Sequence, residues 1–361
     1  MLLSFANYQS RLCGVGIPIP IFFASVLLIS LFHFSMSTSE TIPVPAEPPR
    51  DFHFKYTVQK GFFQQSEDST DDTKFDYRNS NFGLIERNYD TDRPDDKQEQ
   101  WKRFEKFVRH FANGVKEHER VKVLWLGRHG QGWHNVAESK YGTHAWDCYW
   151  SALDGADGIT WADANLTTVG QNQALDAHAL WSQQLPLGIP APETYYVSPL
   201  TRTIETADHS FNNLPLPKDK PYKPFIKELL REALGIHTCD RRSTKTHLEA
   251  TFPHITFEPG FVDADPLWES DYREPASARR YRLATFLDDV FSSDENVFVS
   301  LTSHSGAIAS MLEVFGHRRF ALETGGVIPV FVKAERVPGK REVPPKEPSD
   351  APPMCDGPPQ V

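Results

Sequence analysis

An apolar run from Val121 to Leu126 stops on Gly127-Arg128-His129-Gly130, so an arginine and a histidine stand side by side where a β-strand should end. Arg128 keeps its charge and offers a planar fork matched to phosphate, and a neutral imidazole is a nucleophile or proton carrier near pH 7. The flanking glycines let backbone N–H groups approach a bound anion. The chemistry is capture of an oxyanion followed by attack on it. A tripeptide is a weak signal, however, and an Arg and a His that merely sit at a strand end would give the same one.

Three further groups fall where strands should end. Ser198-Pro199-Leu200-Thr201-Arg202 passes from a strand-like run into a helical one, whose free N–H groups favour an anion. Thr302-Ser303-His304-Ser305-Gly306 places a second histidine between a strand and a helix. Glu228-Leu229-Leu230-Arg231-Glu232 brings acids at helical spacing, which elsewhere would form a solvated face. In a parallel sheet the carboxyl ends of strands face one crevice. Arg128, His129, Arg202 and His304 would converge there.

The elements that must hold them can be read from periodicity. Helical stretches are expected at Thr168 to Gln184, Leu200 to Phe211, Tyr281 to Phe291 and Gly306 to Phe315. Strands are expected at Thr194 to Ser198, Asn296 to Thr302 and Val327 to Val332. Strands alternating with helices mean an α/β layered sheet. Before it, Trp101 to Val115 carries Phe104, Phe107, Val108 and Phe111 at helical spacing, an amphipathic helix packed on the body.

Composition narrows the function. With 361 residues and 39% hydrophobic content the chain can bury a sizeable core, and a net charge of −10 without a basic stripe argues against nucleic acid as a partner. A local arginine cluster can still bind an anion, because distant carboxylates are screened. The uncharged stretch Val15 to Phe32, with Arg11 before it and Ser35, Ser37 and Ser39 after it, reads as a signal peptide or signal anchor over residues 1–37. It implies the secretory pathway, as a secreted or membrane-anchored protein, and allows membrane association; the alternative is a cytoplasmic protein with an inert leader. The sequon Asn165-Leu166-Thr167 would then be available for glycosylation.

Residues 38–120 read as a polar extension that wraps on the body, residues 121–333 as the catalytic domain, and residues 334–361, with Pro338, Pro344, Pro345 and Pro348, as a disordered tail. The four cysteines show no metal-like spacing. With Cys13 in the leader and Cys355 in the tail, only Cys148 and Cys239 are expected to be able to bridge within the body.

The motifs in this order resemble the histidine phosphatase superfamily, the phosphoglycerate-mutase-like proteins. The resemblance rests on Arg128-His129-Gly130 with Asn135 six residues past His129, Leu166-Thr167-Thr168-Val169-Gly170, Ser198-x-Leu200-x-Arg202, Leu230-Arg231-Glu232 and Ser303-His304-Ser305-Gly306. It covers Lys122 to Val332, and longer wording around His134 and Gly235 is similar to fungal members. Ser305, where the acid phosphatases carry Asp, points to the branch of mutases and small phosphatases.

The resemblance implies a three-layer α/β/α fold with a mostly parallel central sheet and helices on both faces. It implies a phosphomonoesterase acting on a small-molecule substrate through a phosphohistidine, with no metal or cofactor. His129 would be the nucleophile, Glu232 the proton donor and acceptor, and His304 a catalytic and phosphate-binding partner; Arg128, Arg202 and Asn135 would bind phosphate. Glu228 and Asp240 are alternative acids. The rival activities are a phosphoglycerate-type mutase, against which Gln131 stands where glycolytic mutases carry Glu, and a non-catalytic phosphate-binding protein. Arg241, Arg242 and Lys245 would either recognise a second anionic group or form a solvated loop. The aromatics Trp146, Tyr149, Trp150 and Trp161 are expected to cap the crevice.

Overall fold

The structure, a computed structural model, describes residues 51–95 and 97–359; the leader over residues 1–37 and its sorting signal lie outside the described residues. A seven-stranded sheet forms the middle layer. Its strands are β1 (Phe52–Val58), β2 (Glu119–Arg128), β5 (Thr194–Val197), β6 (Pro224–Ile226), β7 (Thr256–Phe257), β8 (Phe298–Ser303) and β9 (Val327–Pro338), in the order β1-β9-β2-β8-β5-β6-β7. The short strands β3 (Gly155–Ala156) and β4 (Ile159–Thr160) form a separate ribbon. From β2 to β7 all neighbours are parallel, whereas β9 runs antiparallel between β1 and β2. The sheet is mostly parallel, as expected.

Strand β2 shows how the layers arise. Successive side chains of a strand point to opposite faces, and here both faces are buried. Leu124 and Leu126 enter one core with Phe286 and Leu287 of α7 (Ala276–Ser293) and Ile308 and Met311 of α8 (Ser305–Phe315). Val123 and Trp125 enter the other, with Trp101 and Phe104 of α1 (Gln100–Gly114) and Leu180 and Trp181 of α4 (Thr168–Gln184). Helices on both faces complete a three-layer α/β/α fold. The remaining helices are α2 (Trp133–Tyr141), α3 (Thr143–Cys148), α5 (Thr201–Phe211), which packs against α4, and α6 (Lys245–Thr251).

Three expectations are corrected. The extension is not a wrap outside the domain: β1 is a strand of the sheet itself, and Phe63 and Phe82 lie in the same core as Trp125. The tail is ordered along residues 334–359. Strand β9 continues to Pro338, the Arg341 guanidinium binds Asp288, the Tyr272 hydroxyl donates to Glu347 O, and Asp350 N donates to Arg273 O. Polar bonds to side chains and backbone fix this segment, which is why its Pro-rich composition gave no sign of order. The disulfide joins Cys148 to Cys355, and Cys239 is free and buried. Once the tail lies on the body, Cys355 N donates to Cys148 O at 2.9 Å and the two side chains meet. Among the described residues no helix is long and apolar enough to cross a membrane.

Candidate active site

The parallel strands β2 and β8 end on Arg128 and Ser303, Ser198 directly follows β5, and the segments after them carry the chemistry. His129 is buried just past β2, its N–H bonded to Ser303 O at 3.0 Å. The turn is tight because residues 130 and 170 are both glycine. A Cβ on Gly130 would lie 2.2 Å from Gly170 O, and one on Gly170 would lie 2.1 Å from Gln131 O. The Arg-His-Gly motif and the start of α4 are thus pressed backbone to backbone, and Thr167 caps α4 by accepting from Gly170 N.

His129 and His304 lie with ring centroids 5.2 Å apart. Burial, reinforced by Arg202, holds both imidazoles well below their ordinary pKa, so both are neutral. The protonation of each nitrogen then follows from its neighbour. His129 Nδ1 lies 2.7 Å from Gly130 O, a pure acceptor, so the proton sits on Nδ1 and Nε2 keeps its lone pair. His304 Nδ1 faces the Arg202 Nη2 donor at 3.2 Å and is the acceptor, leaving Nε2–H for Ser198 Oγ at 2.8 Å.

Arg202 is held on all sides. It enters from the first turn of α5, donates to Cys239 O at 2.5 Å and Asp240 Oδ1 at 2.9 Å, and is 1% exposed. Asp240 in turn accepts from Arg273 Nη1 at 2.8 Å. Burial alone would push the Asp240 carboxyl up, but Arg273 and Arg202 outweigh it and keep it below the usual carboxylate range. Arg128 donates to Leu322 O at 2.6 Å. The Nε groups of Arg128 and Arg202 are both enclosed without a partner.

Glu232, near enough for its charge to act on Arg128, is half-buried, its two oxygens accepting from Ala233 N at 3.0 Å and from Gly306 N of α8 at 2.9 Å. The competing acids are engaged elsewhere. Glu228 is buried against Arg231 and Arg242, and Asp240 is clamped between two arginines. Asn135 uses its Oδ1 to accept from Gly132 N at 3.0 Å, which fixes the turn into α2.

Of the loop cations, Arg242 is buried on Glu228 and four backbone carbonyls, Arg241 pairs with Asp154, and Lys245 pairs with Glu249. Arg242 is therefore no part of an anion-recognition loop. Trp146 and Trp161 pack edge to face at 5.4 Å, and Tyr141 stacks on Trp150 at 4.1 Å, in a cluster that includes Cys239. The aromatic group abuts the site through the Cys239 carbonyl that holds Arg202. Sequence reading missed Arg273, which lies 33 residues from the carboxylate it clamps, and Asp163, which caps α5 by accepting from Thr201 N and Thr201 Oγ1. Asp163 precedes the Leu-Thr-Thr-Val-Gly motif by three residues and could have been suspected as a cap.

Residues 150–322 match the model of the histidine phosphatase superfamily, branch 1. Arg202, Glu232 and His304 lie within that span, and the geometry brings Arg128 and His129 to them from outside it. Over 283 residues the chain is 50% identical to a probable phosphoglycerate mutase of Arthroderma benhamiae, which covers 78% of this chain and 84% of that protein. It is 42% identical over 217 residues to phosphomutase-like protein 3 of Candida albicans, covering 59% of this chain and 66% of the other. A probable phosphoglycerate mutase of Saccharomyces cerevisiae is 34% identical over 232 residues, covering 59% and 78% of the two chains. The chain belongs to the histidine phosphatase superfamily, in its phosphoglycerate-mutase-like branch, whose members are phosphatases or mutases.

Proposed function

We propose that the protein is a phosphomonoesterase that works through a phosphohistidine on His129. The observation that carries this reading is a neutral His129, its Nε2 lone pair unclaimed, lying beside His304 and within the field of the Arg202 and Arg128 guanidiniums. In the first step His129 Nε2 forms a bond to phosphorus as the bond to the ester oxygen breaks, and the Glu232 carboxyl gives its proton to the departing alkoxide. In the second, Glu232 takes a proton from a water that attacks phosphorus, the P–N bond breaks, and inorganic phosphate leaves. Arg128 and Arg202 hold the equatorial oxygens, whose charge must be stabilised throughout. His304 orients Arg202 by accepting from its Nη2 at 3.2 Å.

The test is release of phosphate from a panel of phosphomonoesters in the presence of EDTA, beside His129→Ala. Turnover by the parent protein and none by the variant is expected. No turnover by the parent, or undiminished turnover by the variant, refutes the reading. A mutase is the second reading, favoured by the names of the relatives. It would appear as phosphate moving between positions of a phosphoglycerate faster than it is released to water. Gln131 favours hydrolysis: its side chain is neutral and accepts from Thr167 Oγ1 at 2.8 Å.

We also propose passage through the secretory pathway. The apolar run before Phe32, the exposed Asn165 of the sequon and the Cys148–Cys355 disulfide agree with an oxidising compartment. A glycosidase-sensitive mass shift that vanishes in Asn165→Gln is expected; an unmodified cytosolic protein would refute it.

A further inference from the structure

Beside His129 lies a third imidazole that the two steps above do not use. His134 stands in the first turn of α2, 8% exposed, its ring centroid 5.2 Å from that of His129. It comes this close because residue 132 is glycine. A Cβ there would lie 2.6 Å from His134 Nδ1 and 3.5 Å from Arg202 Cδ. Nδ1 is enclosed against this turn with no hydrogen-bond partner, whereas Nε2 has no protein partner and is not enclosed.

The position of the proton follows. An N–H shut in at Nδ1 would forfeit its hydrogen bond to water, so the neutral ring carries its proton on the open nitrogen, Nε2. Burial and the neighbouring Arg202, His129, Arg128 and His237 keep the ring neutral. Adjacent histidines therefore hold opposite tautomers: His129 presents a lone pair at Nε2, and His134 presents an N–H. His304 has both nitrogens occupied, by Ser198 and Arg202. Only one of the three rings offers an unclaimed donor.

We propose that His134 is a further ligand of the phosphoryl group, donating Nε2–H to one of its equatorial oxygens alongside Arg128 and Arg202. The proposal rests on the phosphoryl-transfer reading of the site and adds a donor to it.

The experiment is calorimetric binding of tungstate, a tetrahedral dianion, to the full-length protein and to His134→Phe, His134→Gln and His134→Asn. Phe fills the ring space without a donor; Gln places an amide N–H where Nε2 was; Asn places one where Nδ1 was, against Gly132. Loss of a hydrogen bond to a charged group predicts tungstate binding weakened by about ten- to a hundredfold in His134→Phe and His134→Asn, with most of it restored in His134→Gln. Unchanged binding in His134→Phe, or equal binding in the Gln and Asn variants, overturns the proposal. If His134→Phe fails to fold, the Gln and Asn pair decides alone. No tungstate binding by the parent overturns the proposal and the phosphoryl site together. Tungstate binding without phosphatase turnover refutes only the hydrolytic reading, since the variants still report on His134.

Discussion

The sharpest test of Glu232 as the proton donor is a substitution at its neighbour, Gly306→Ala. A Cβ on Gly306 would lie 2.3 Å from Glu232 Oε1 and 3.0 Å from Arg279 Nη1. Ordinary contact requires the carboxylate to move by roughly 1 Å, which is easy for the end of a flexible side chain. The fold should tolerate the change. Gly306 lies inside α8, where alanine is favoured over glycine by up to about 1 kcal/mol, so the unfolding midpoint should hold or rise. Catalysis should not tolerate it, because misplacing a reacting group by about 1 Å can cost on the order of a hundredfold.

The loss should depend on the leaving group. An alkyl phosphate must have its alkoxide protonated as it departs, and its kcat should fall by about a hundredfold. Nitrophenyl phosphate releases a stable phenolate and should lose no more than about threefold. The assay is kcat for a series of phosphomonoesters graded by leaving-group acidity, beside a thermal melt. A uniform loss across the series, or none for the alkyl esters, would refute the role of Glu232 and of the α8 amide that holds it.

Other predictions follow from the same contacts. Arg202→Lys cannot reach Cys239 O, Asp240 and His304 at once, and kcat/KM should fall by about a hundredfold or more; a change under fivefold would contradict the clamp. Acid should unfold the protein early. Burial lowers the pKa of His129, His134 and His304 well below the ordinary 6.5 and that of His237 to about 4, so the unfolded chain binds more protons below pH 6.5. Stability is full above that pH and falls as pH drops, with His237 alone contributing a loss of about 3 kcal/mol by pH 4; denaturant melts that stay flat from pH 7 to 5 would refute this. Removing the Cys148–Cys355 link, which spans 207 positions, should lower stability by up to about 5 kcal/mol on chain-entropy grounds. Denaturant melts of Cys355→Ser should match those of the reduced parent protein, and a reductant should leave the variant unchanged.

The site was far more legible than its scaffold. Strand β2 declares itself because both its faces are buried, so Val123 to Leu126 is apolar without a break and its end is marked by Arg128 and His129. The helices that follow β5 and β8 likewise begin beside the motif residues. Strand β1 was hidden. Phe54 and Tyr56 alternate with exposed Lys55 and Thr57, but seven residues of alternation drown in a polar, acidic stretch. β6 and β7, with three and two residues, are too short for any periodicity, and their place comes from pairing with β5. The Asp240–Arg273 clamp and the Cys148–Cys355 bond join residues distant in sequence, and no local pattern records such a meeting.

That bond also changes what a protease can do to the molecule. It closes the chain between residues 148 and 355 into a covalent ring that contains Arg202, Glu232 and His304, while Arg128 and His129 stand on the arm that leads into it. A single cut anywhere within the ring leaves both pieces attached, so a nicked molecule keeps its mass and its assembled crevice until it meets a reductant. A cut between His129 and Cys148 instead leaves His129 and Arg128 with no covalent link to Arg202, Glu232 and His304.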